Sequence, residues 1–168
     1  MFAAIKNFFK KQNTIIYVRF RNDKIYFVAS PSGLEYEDMA LIAVNRQTKN
    51  QKITAVGRAV LELPERDPSV VFTPFKPSDL EPENFMLAEK LVLFLLKKAT
   101  PKSVLVSPRV IMHPDKSYVS EMEADAYREL ALSAGAREVY VHVGDVLESE
   151  NFEALFDKIN WKIFFRVL

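Results

Sequence analysis

The chain contains no cysteine, which excludes disulfide bonds and thiolate metal ligands and fits a reducing compartment. It also has little net charge, because 23 lysines and arginines nearly balance 22 aspartates and glutamates and leave a formal charge of +1. A chain with this balance has no long-range field to gather nucleic acid, so we expect no nucleic-acid partner.

Long apolar runs are missing as well. The longest, residues 91–96, is far shorter than the roughly 20 residues that a membrane-spanning helix needs. The N-terminus has neither the continuous apolar stretch nor the small-residue cleavage site that is typical of a secretory signal. We therefore expect a cytoplasmic protein.

What the sequence does contain is the composition of an ordinary globular domain. Hydrophobic residues make up 49% of the 168 residues and charged residues 27%. A domain of this length buries roughly 70% of the surface that its unfolded chain exposes. We therefore expect one body that folds without a covalent or metal staple.

Three β-strands are predicted at the start of the chain. Residues 14–20 and 24–29 are rich in β-branched and aromatic side chains, and the three residues between them favour a hairpin. A further apolar run, residues 39–44, predicts a third antiparallel strand. After it, residues 53–56 predict a short strand and residues 59–63 a helical turn, and repeated prolines prevent longer elements.

Helices and strands alternate in the second half. A helix is predicted after Pro82, because apolar side chains recur there with a helical period. Residues 104–106 and 139–143 predict strands, and the helix between them is predicted to begin with a Ser120 cap and to end at Gly135. This order predicts a mixed sheet with helices packed on it, which is the layered α/β plan.

Four stretches of the sequence resemble segments of one known family. The stretches are Asn13-Thr14-Ile15-Ile16-Tyr17-Val18, Ala43-Val44-Asn45-Arg46-Gln47-Thr48, Ala55-Val56-Gly57 and Ser133-Ala134-Gly135-Ala136-Arg137-Glu138-Val139-Tyr140. They resemble the bacterial actin-like rod shape-determining family, MreB, and the resemblance spans about residues 1–143. It implies the first lobe of the actin-like ATPase fold: an α/β, ribonuclease H-like domain with a mixed five-stranded sheet and packed helices.

The sequence departs from the family where the family binds nucleotide. The family carries an Asp-x-Gly-Thr phosphate loop just before its Asn-Thr-Leu-Ile-Tyr-Val strand, where the acid positions a metal and the glycine admits phosphate. The matching stretch here is Phe8-Phe9-Lys10-Lys11, which has neither group, and His142-Val143-Gly144-Asp145 replaces the family's Glu-Glu-Pro stretch. The chain also ends where the family's second lobe would start, so we expect half a cleft, no cofactor and no ATP hydrolysis.

Three other features could belong to a catalytic or metal site, but each also has a purely structural interpretation or lacks a residue that the chemistry needs. Glu123 aligns with the family's water-positioning glutamate, which makes it a weak catalytic candidate, but a first-turn glutamate also stabilises a helix dipole. His113 and His142, the two histidines of the chain, lack the spacing of metal ligands. A nuclease of the ribonuclease H type needs a carboxylate on its first strand, and residues 14–20 contain none.

The N-terminal segment has the pattern of an interfacial helix, with bulky apolar side chains on one face and lysines away from it. So short a helix is marginal alone in water, so it needs either a membrane surface or the body of a protein, and both alternatives are open. The residues expected to make this contact are Phe2, Ile5, Phe8, Phe9, Lys6, Lys10 and Lys11.

Two more surfaces are candidates for contacts. Arg19, Arg21 and Lys24 form a basic spot on the first hairpin that suits an anionic partner, although an ordinary solvated sheet face has the same pattern. The aromatic C-terminal segment either packs on the domain or leaves an apolar patch that favours self-association. The self-association candidates are Phe152, Phe156, Trp161, Phe164 and Phe165.

The sequence thus predicts an amphipathic helix over residues 1–11, an MreB-like first-lobe domain over residues 12–150 and an aromatic segment over residues 151–168. The leading hypothesis is a non-catalytic, truncated MreB-like protein that binds a protein partner, either a full-length actin-like filament or itself. It would work near the inner face of the cytoplasmic membrane and affect cell shape. The alternatives are a self-assembling scaffold unrelated to cell shape and a residual nucleotide-binding protein.

Overall fold

The computed structural model describes residues 13–21, 23–47, 51–74, 82–100 and 107–156. The helices are α1 (Pro82–Ala99) and α2 (Glu121–Ser133), with 3-10 turns at Gly57–Glu62 and Ser149–Asn151 and a helical segment at residues 152–156. The strands are β1 (Ile15–Arg21), β2 (Lys24–Ser30), β3 (Leu34–Met39), β4 (Ile42–Asn45), β5 (Lys52–Val56), β6 (Ser69–Phe72), β7 (Arg109–His113) and β8 (Glu138–Val141).

The larger sheet has five strands in the order β3-β2-β1-β7-β8. The first three form an antiparallel meander, whereas β1 pairs in parallel with β7, and β7 in parallel with β8. Parallel neighbours need long crossover connections, and α1 and α2 lie in those connections. The predicted mixed five-stranded sheet with packed helices is confirmed.

The third predicted strand, residues 39–44, was wrong in its position. The third strand of the large sheet is β3, and the chain then leaves that sheet, so that β4 starts a separate three-stranded sheet in the order β5-β4-β6. β3 lies at a sheet edge and carries Glu35, Glu37 and Asp38, which is why apolar patterning did not reveal it. Charged side chains are common on edge strands because they oppose pairing with other chains.

Two other elements differ from expectation. The strand between α1 and α2 is β7, whereas the predicted strand at residues 104–106 lies outside the described residues. The helical turn predicted at residues 59–63 is a 3-10 helix that begins two residues earlier, at Gly57. The short strand predicted at residues 53–56 is confirmed as β5.

One face of the large sheet packs against both helices. Val18 of β1 and Met112 of β7 are fully buried there, and they meet Leu91 and Leu95 of α1 and Leu130 of α2 in one apolar core. The apolar positions of α1 recur every three or four residues, so a single stripe of the helix is turned towards the strands. Among the described helices, none is both long and apolar enough to cross a bilayer.

The other face of the sheet is covered by residues near the C-terminal end of the described chain. Phe152 and Phe156 are buried against Ile15, Tyr17 and Ile111 in a second apolar core. Complete burial of a side chain of this size stabilises the fold by about 1.5–3 kcal/mol. These two rings are therefore not available as a surface for a second copy, and the alternative in which they pack on the domain itself is the one found.

Arg109 fastens this C-terminal segment to the sheet. Its guanidinium carbon lies 4.8 Å from the centre of the Phe156 ring, and its Nη2 donates to Oε2 of Glu153 at 2.6 Å. The backbone N–H of Arg109 also donates to the carbonyl of Thr14, beside the first residue of β1. One side chain thus joins the central strands to the segment that covers them.

Gly57 lies directly against the buried carboxylate of Asp38. That carboxylate accepts hydrogen bonds from the backbone N–H groups of Arg58 (2.6 Å) and Met39 (2.8 Å) and from the hydroxyl of Tyr36. Gly57 has a φ of +69°, and a Cβ at this position would be 2.4 Å from the carboxyl carbon of Asp38. Both the backbone conformation and the carboxylate therefore require glycine here.

We predict that Gly57→Ala lowers the free energy of unfolding by about 3 kcal/mol, because it adds a clash with Asp38 to the left-handed strain. Gly33→Ala is the matched control: φ is +68°, but no atom lies within 4 Å of the added Cβ. It should cost only about 1–2 kcal/mol. Urea unfolding of both variants measures the difference, and equal losses would show that the Asp38 contact does not constrain position 57.

Candidate functional site

The carboxyl ends of the parallel strands β1, β7 and β8 meet at one edge of the large sheet. Ligands of open α/β sheets bind beyond this edge, so it is the natural place to look for a site. The register places Arg19, two residues before the end of β1, beside His113 at the end of β7. We call the polar side chains there the carboxyl-edge cluster: Tyr17, Arg19, His113, Asp115 and His142.

His113 is the buried centre of the cluster, with 2% of its surface exposed. Its Nε2 lies 3.0 Å from the carbonyl oxygen of Gly144 and must donate to it, because a carbonyl only accepts. In the neutral ring Nδ1 is then an acceptor, and the hydroxyl of Tyr17 donates to it. The backbone N–H of Leu147 lies 3.5 Å from the Tyr17 oxygen and completes the network.

Burial keeps this network neutral. Burial lowers the pKa of His113 from its ordinary value of 6.5, and the neighbouring His142, with its ring centre 4.7 Å away, lowers the pKa further. Burial also raises the pKa of the Tyr17 hydroxyl, so this hydroxyl keeps its proton at neutral pH. Both groups act as hydrogen-bonding parts of the interior rather than as exposed acids or bases.

Arg19 carries the positive charge of the cluster. Its Nη2 lies 3.8 Å from Oδ1 of Asp115, while its Nε is buried and has no hydrogen-bond partner among the described residues. Of the basic spot predicted on the hairpin, Lys24 is also paired, with its Nζ 2.6 Å from Oε1 of Glu37, and Arg21 is exposed. Two of the three cations are thus engaged within the chain.

Glu123 caps the helix that begins beside this edge. Its Oε2 accepts hydrogen bonds from the backbone N–H and the hydroxyl of Ser120, which confirms the predicted cap, and its Oε1 accepts from Nζ of Lys116 at 2.6 Å. Lys116 and then the Ser120 donors lower the pKa of Glu123 to about 2. Such a carboxylate is a poor general base at neutral pH, because efficient bases have a pKa close to the working pH.

The described loops at this edge offer little to a phosphate or a metal. In the segments that follow β7 and β8, residues 114–120 and 142–148, the one glycine is Gly144, and its carbonyl is bound by His113. Across the described parts of the chain, no group of three or more histidine and carboxylate side chains is arranged to hold a metal ion.

The remaining predicted contacts fall outside the described residues. They are the N-terminal set from Phe2 to Lys11, which includes the Phe8-Phe9-Lys10-Lys11 stretch, and Trp161, Phe164 and Phe165. Sequence reasoning missed Tyr17, Asp115 and Lys116 as parts of the edge. A strand assignment for β7 would have revealed them, because it places His113 at a strand end beside Arg19.

An open mixed sheet with helices on one face and a polar carboxyl edge defines a layered α/β domain, and comparison with solved structures identifies its type. MreB5 of Spiroplasma citri bound to ADP superposes with a TM-score of 0.63 at 18% identity, over 79% of this chain and 39% of that one. The double helical filament of MamK superposes with a TM-score of 0.61 at 12% identity, over 78% and 41%. No protein-family model and no curated protein sequence matches the chain.

The fold is therefore that of the bacterial actin-like proteins, as the sequence resemblance predicted. At these identities the comparison shows the fold alone. The chain spans about two fifths of the length of the structures that it matches, 39% of MreB5 and 41% of MamK.

We predict that stability falls as the pH drops below about 6.5. The pKa of His113 is lower in the folded chain than in the unfolded one, so below about pH 6.5 the unfolded chain binds more protons than the folded chain. The neutral His113 side chain therefore contributes its full stabilisation only above about pH 6.5. His113→Gln should remove most of this dependence and cost about 1–3 kcal/mol at pH 8, because it disturbs the Tyr17 bond. Urea unfolding between about pH 5 and 8 measures both effects.

His142→Gln is the control for that experiment. It removes the second-largest cause that lowers the pKa of His113 and leaves the largest, which is burial, so most of the pH dependence should remain. A His113→Gln variant that loses stability with falling pH as steeply as the unmodified chain would contradict the assignment.

Proposed function

We propose that this chain is a non-catalytic actin-like protein that acts by binding other proteins. The observation that carries the proposal is the self-contained carboxyl edge of the sheet. There His113 is bound by Tyr17 and Gly144, Asp115 faces Arg19, and the carboxylate of Glu123 is engaged by Lys116 and Ser120. An edge whose groups satisfy one another has few left for a triphosphate and its metal.

The sequence supports the same proposal at the place where the resemblance puts a phosphate loop. A backbone cradle for phosphate needs glycine, and a metal needs a carboxylate close to it. Phe8-Phe9-Lys10-Lys11 provides a ring and a lysine at the corresponding positions. Residues 22 and 23, which connect β1 to β2, include no glycine either.

The partner that we propose is an actin-like filament or another copy of the chain. The fold is shared with proteins of the bacterial cytoskeleton type, and MamK, one of the structures matched, forms a double helical filament. A role in cell shape follows from the resemblance to MreB and belongs to this proposal. Function resides in particular sites rather than in a fold, so it needs a direct test.

We further propose that the protein is cytoplasmic and peripheral to the inner face of the membrane. The support is the sequence of residues 1–11, in which Phe2, Ile5, Phe8 and Phe9 share one helical face while Lys6 and Lys10 lie off it. Apolar side chains that enter the headgroup boundary, together with lysines that attract anionic lipids, are typical of interfacial anchors.

Isothermal titration with ATP and Mg²⁺ tests the loss of nucleotide binding. We expect no heat of binding up to about 1 mM nucleotide, because the described loops at the carboxyl edge form no free phosphate cradle. A dissociation constant in the micromolar range or below would overturn the proposal and favour the residual nucleotide-binding alternative. Lys116→Ala, which frees Oε1 of Glu123, is a useful companion variant. If the pairing with Lys116 masked a binding site, this variant would gain nucleotide binding.

Co-sedimentation with phosphatidylglycerol vesicles tests the anchor. Replacing Phe2, Phe8 and Phe9 together by serine should lower the partition coefficient at least about a hundredfold, since each ring contributes about 1.5 kcal/mol or more. Replacing Tyr118, which is exposed on the loop before α2, by serine is the control and should have little effect. Equal pelleting of the triple variant and the unmodified chain would remove membrane anchoring from the proposal.

A further inference from the structure

The outward face of α1 is basic and partly apolar. Lys90, Phe94, Lys97 and Lys98 lie on it, and 43% of the Phe94 surface is exposed. Nζ of Lys98 lies 4.7 Å from the centre of the Phe94 ring. In the described part of the chain, no carboxylate pairs with any of these three lysines.

This face borders a groove between α1 and the strand β5. The groove has a volume of about 490 Å³, and none of the described residues that line it carries a carboxylate. Ile53, Leu93 and Phe94 provide its apolar wall, and Lys90, Lys97 and Lys98 provide its charge. We call it the α1 groove. Its chemistry suits an occupant that combines apolar side chains with negative charge.

The length of the groove indicates the kind of occupant. From Lys90 to Lys98 the helix rises about 12 Å, so the positive charges are too far apart for one carboxylate to meet them all. Neither of the terminal segments that lie outside the described residues fits the groove. Residues 1–12 contain three lysines and no acid, and residues 157–168 contain three basic residues and one acid, so each would bring like charge to the groove.

The outward face of α2 has the complementary pattern. Glu121, Asp125 and Glu129 recur every four residues on it, and Met122 and Leu132 are 67% and 41% exposed beside them. Glu121 and Glu129 are also separated by about 12 Å along the helix. Asp125 has a surface contact with Arg128, which is weak enough to exchange for an intermolecular pair. We call this face the α2 stripe.

We propose that two copies of this chain associate by placing the α2 stripe of one copy in the α1 groove of the other. Met122 and Leu132 would then cover Phe94 and Ile53, while the carboxylates at the two ends of the stripe meet the lysines at the two ends of the groove. Apolar burial supplies the affinity, and the matched spacing of charge fixes the register. Added salt weakens such an association because it screens the charges.

This inference rests on the proposed function, because it names one partner and one binding surface for a protein that acts by binding proteins. Different experimental results would overturn the inference and the proposed function. Binding of ATP would overturn the proposed function and leave the self-association intact. A chain that stays monomeric would overturn this inference and leave other protein partners.

Sedimentation velocity of the full chain and of two charge-reversed variants tests the contact. Lys90→Glu with Lys98→Glu should weaken self-association about tenfold or more, and Glu121→Lys with Glu129→Lys should do the same. An equimolar mixture of the two variants should recover association, since each reversed groove then meets a reversed stripe. If the single variants failed to associate because they were unfolded or insoluble, mixing them would not restore association. Recovery in the mixture therefore shows that the charge reversals act at the contact.

Arg66→Glu with Arg137→Glu is the matched control, because it changes the net charge by the same amount at exposed residues outside the groove and the stripe. It should leave the association constant within about twofold. The inference is overturned if the unmodified chain is monomeric, if the control weakens association as much as the groove variant, or if the mixture does not recover. Neutral replacements by glutamine repeat the test should a reversed variant fail to fold.

Discussion

The parallel pairing of β1 with β7 is the constraint on which the rest of this domain depends. It joins Ile15 to Arg109 and Arg19 to His113, pairs of residues that are 94 positions apart in the sequence. The side chains from Ile15 to Val18 are all buried, because β1 packs against the helices on one face and against residues 152–156 on the other. Both apolar cores and the carboxyl edge are therefore consequences of one strand pair.

Periodicity revealed the elements that bury one clear stripe or face. β1, β2, α1 and α2 were predictable because their apolar residues recur with the period of a strand or a helix, and Ser120 with Glu123 marked the start of α2. β3 was not, because its charged residues suit a sheet edge. β7 was not, because it begins with Arg109 and ends with His113, and patterning cannot show that both polar side chains are buried by partners distant in sequence.

The site was less predictable than the fold for the same reason. His113 and His142 were visible in the sequence as two histidines without a ligand spacing, and the contact of His113 with Tyr17 depends on the β1–β7 pairing. Once that register exists, the physical character of the edge follows: a buried neutral histidine, an arginine beside an aspartate and a glutamate fixed as a helix cap. The fold is shared with a nucleotide-bound neighbour, but a shared fold does not determine which side chains stand at this edge.

The contacts of Arg109 also constrain how the chain is made. A ribosome releases β1 and β2 early, but β7, the parallel neighbour of β1, follows only at residues 109–113. Phe152 and Phe156, which cover the second face of β1, emerge only when nearly all of the described chain has been translated. Until then Ile15 and Tyr17 stay open to water, and such surfaces attract other unfinished chains. The nascent β1–β2 hairpin is therefore covered only when residues 152–156 have been made. This protein is more exposed to aggregation and to chaperones during synthesis than after folding is complete.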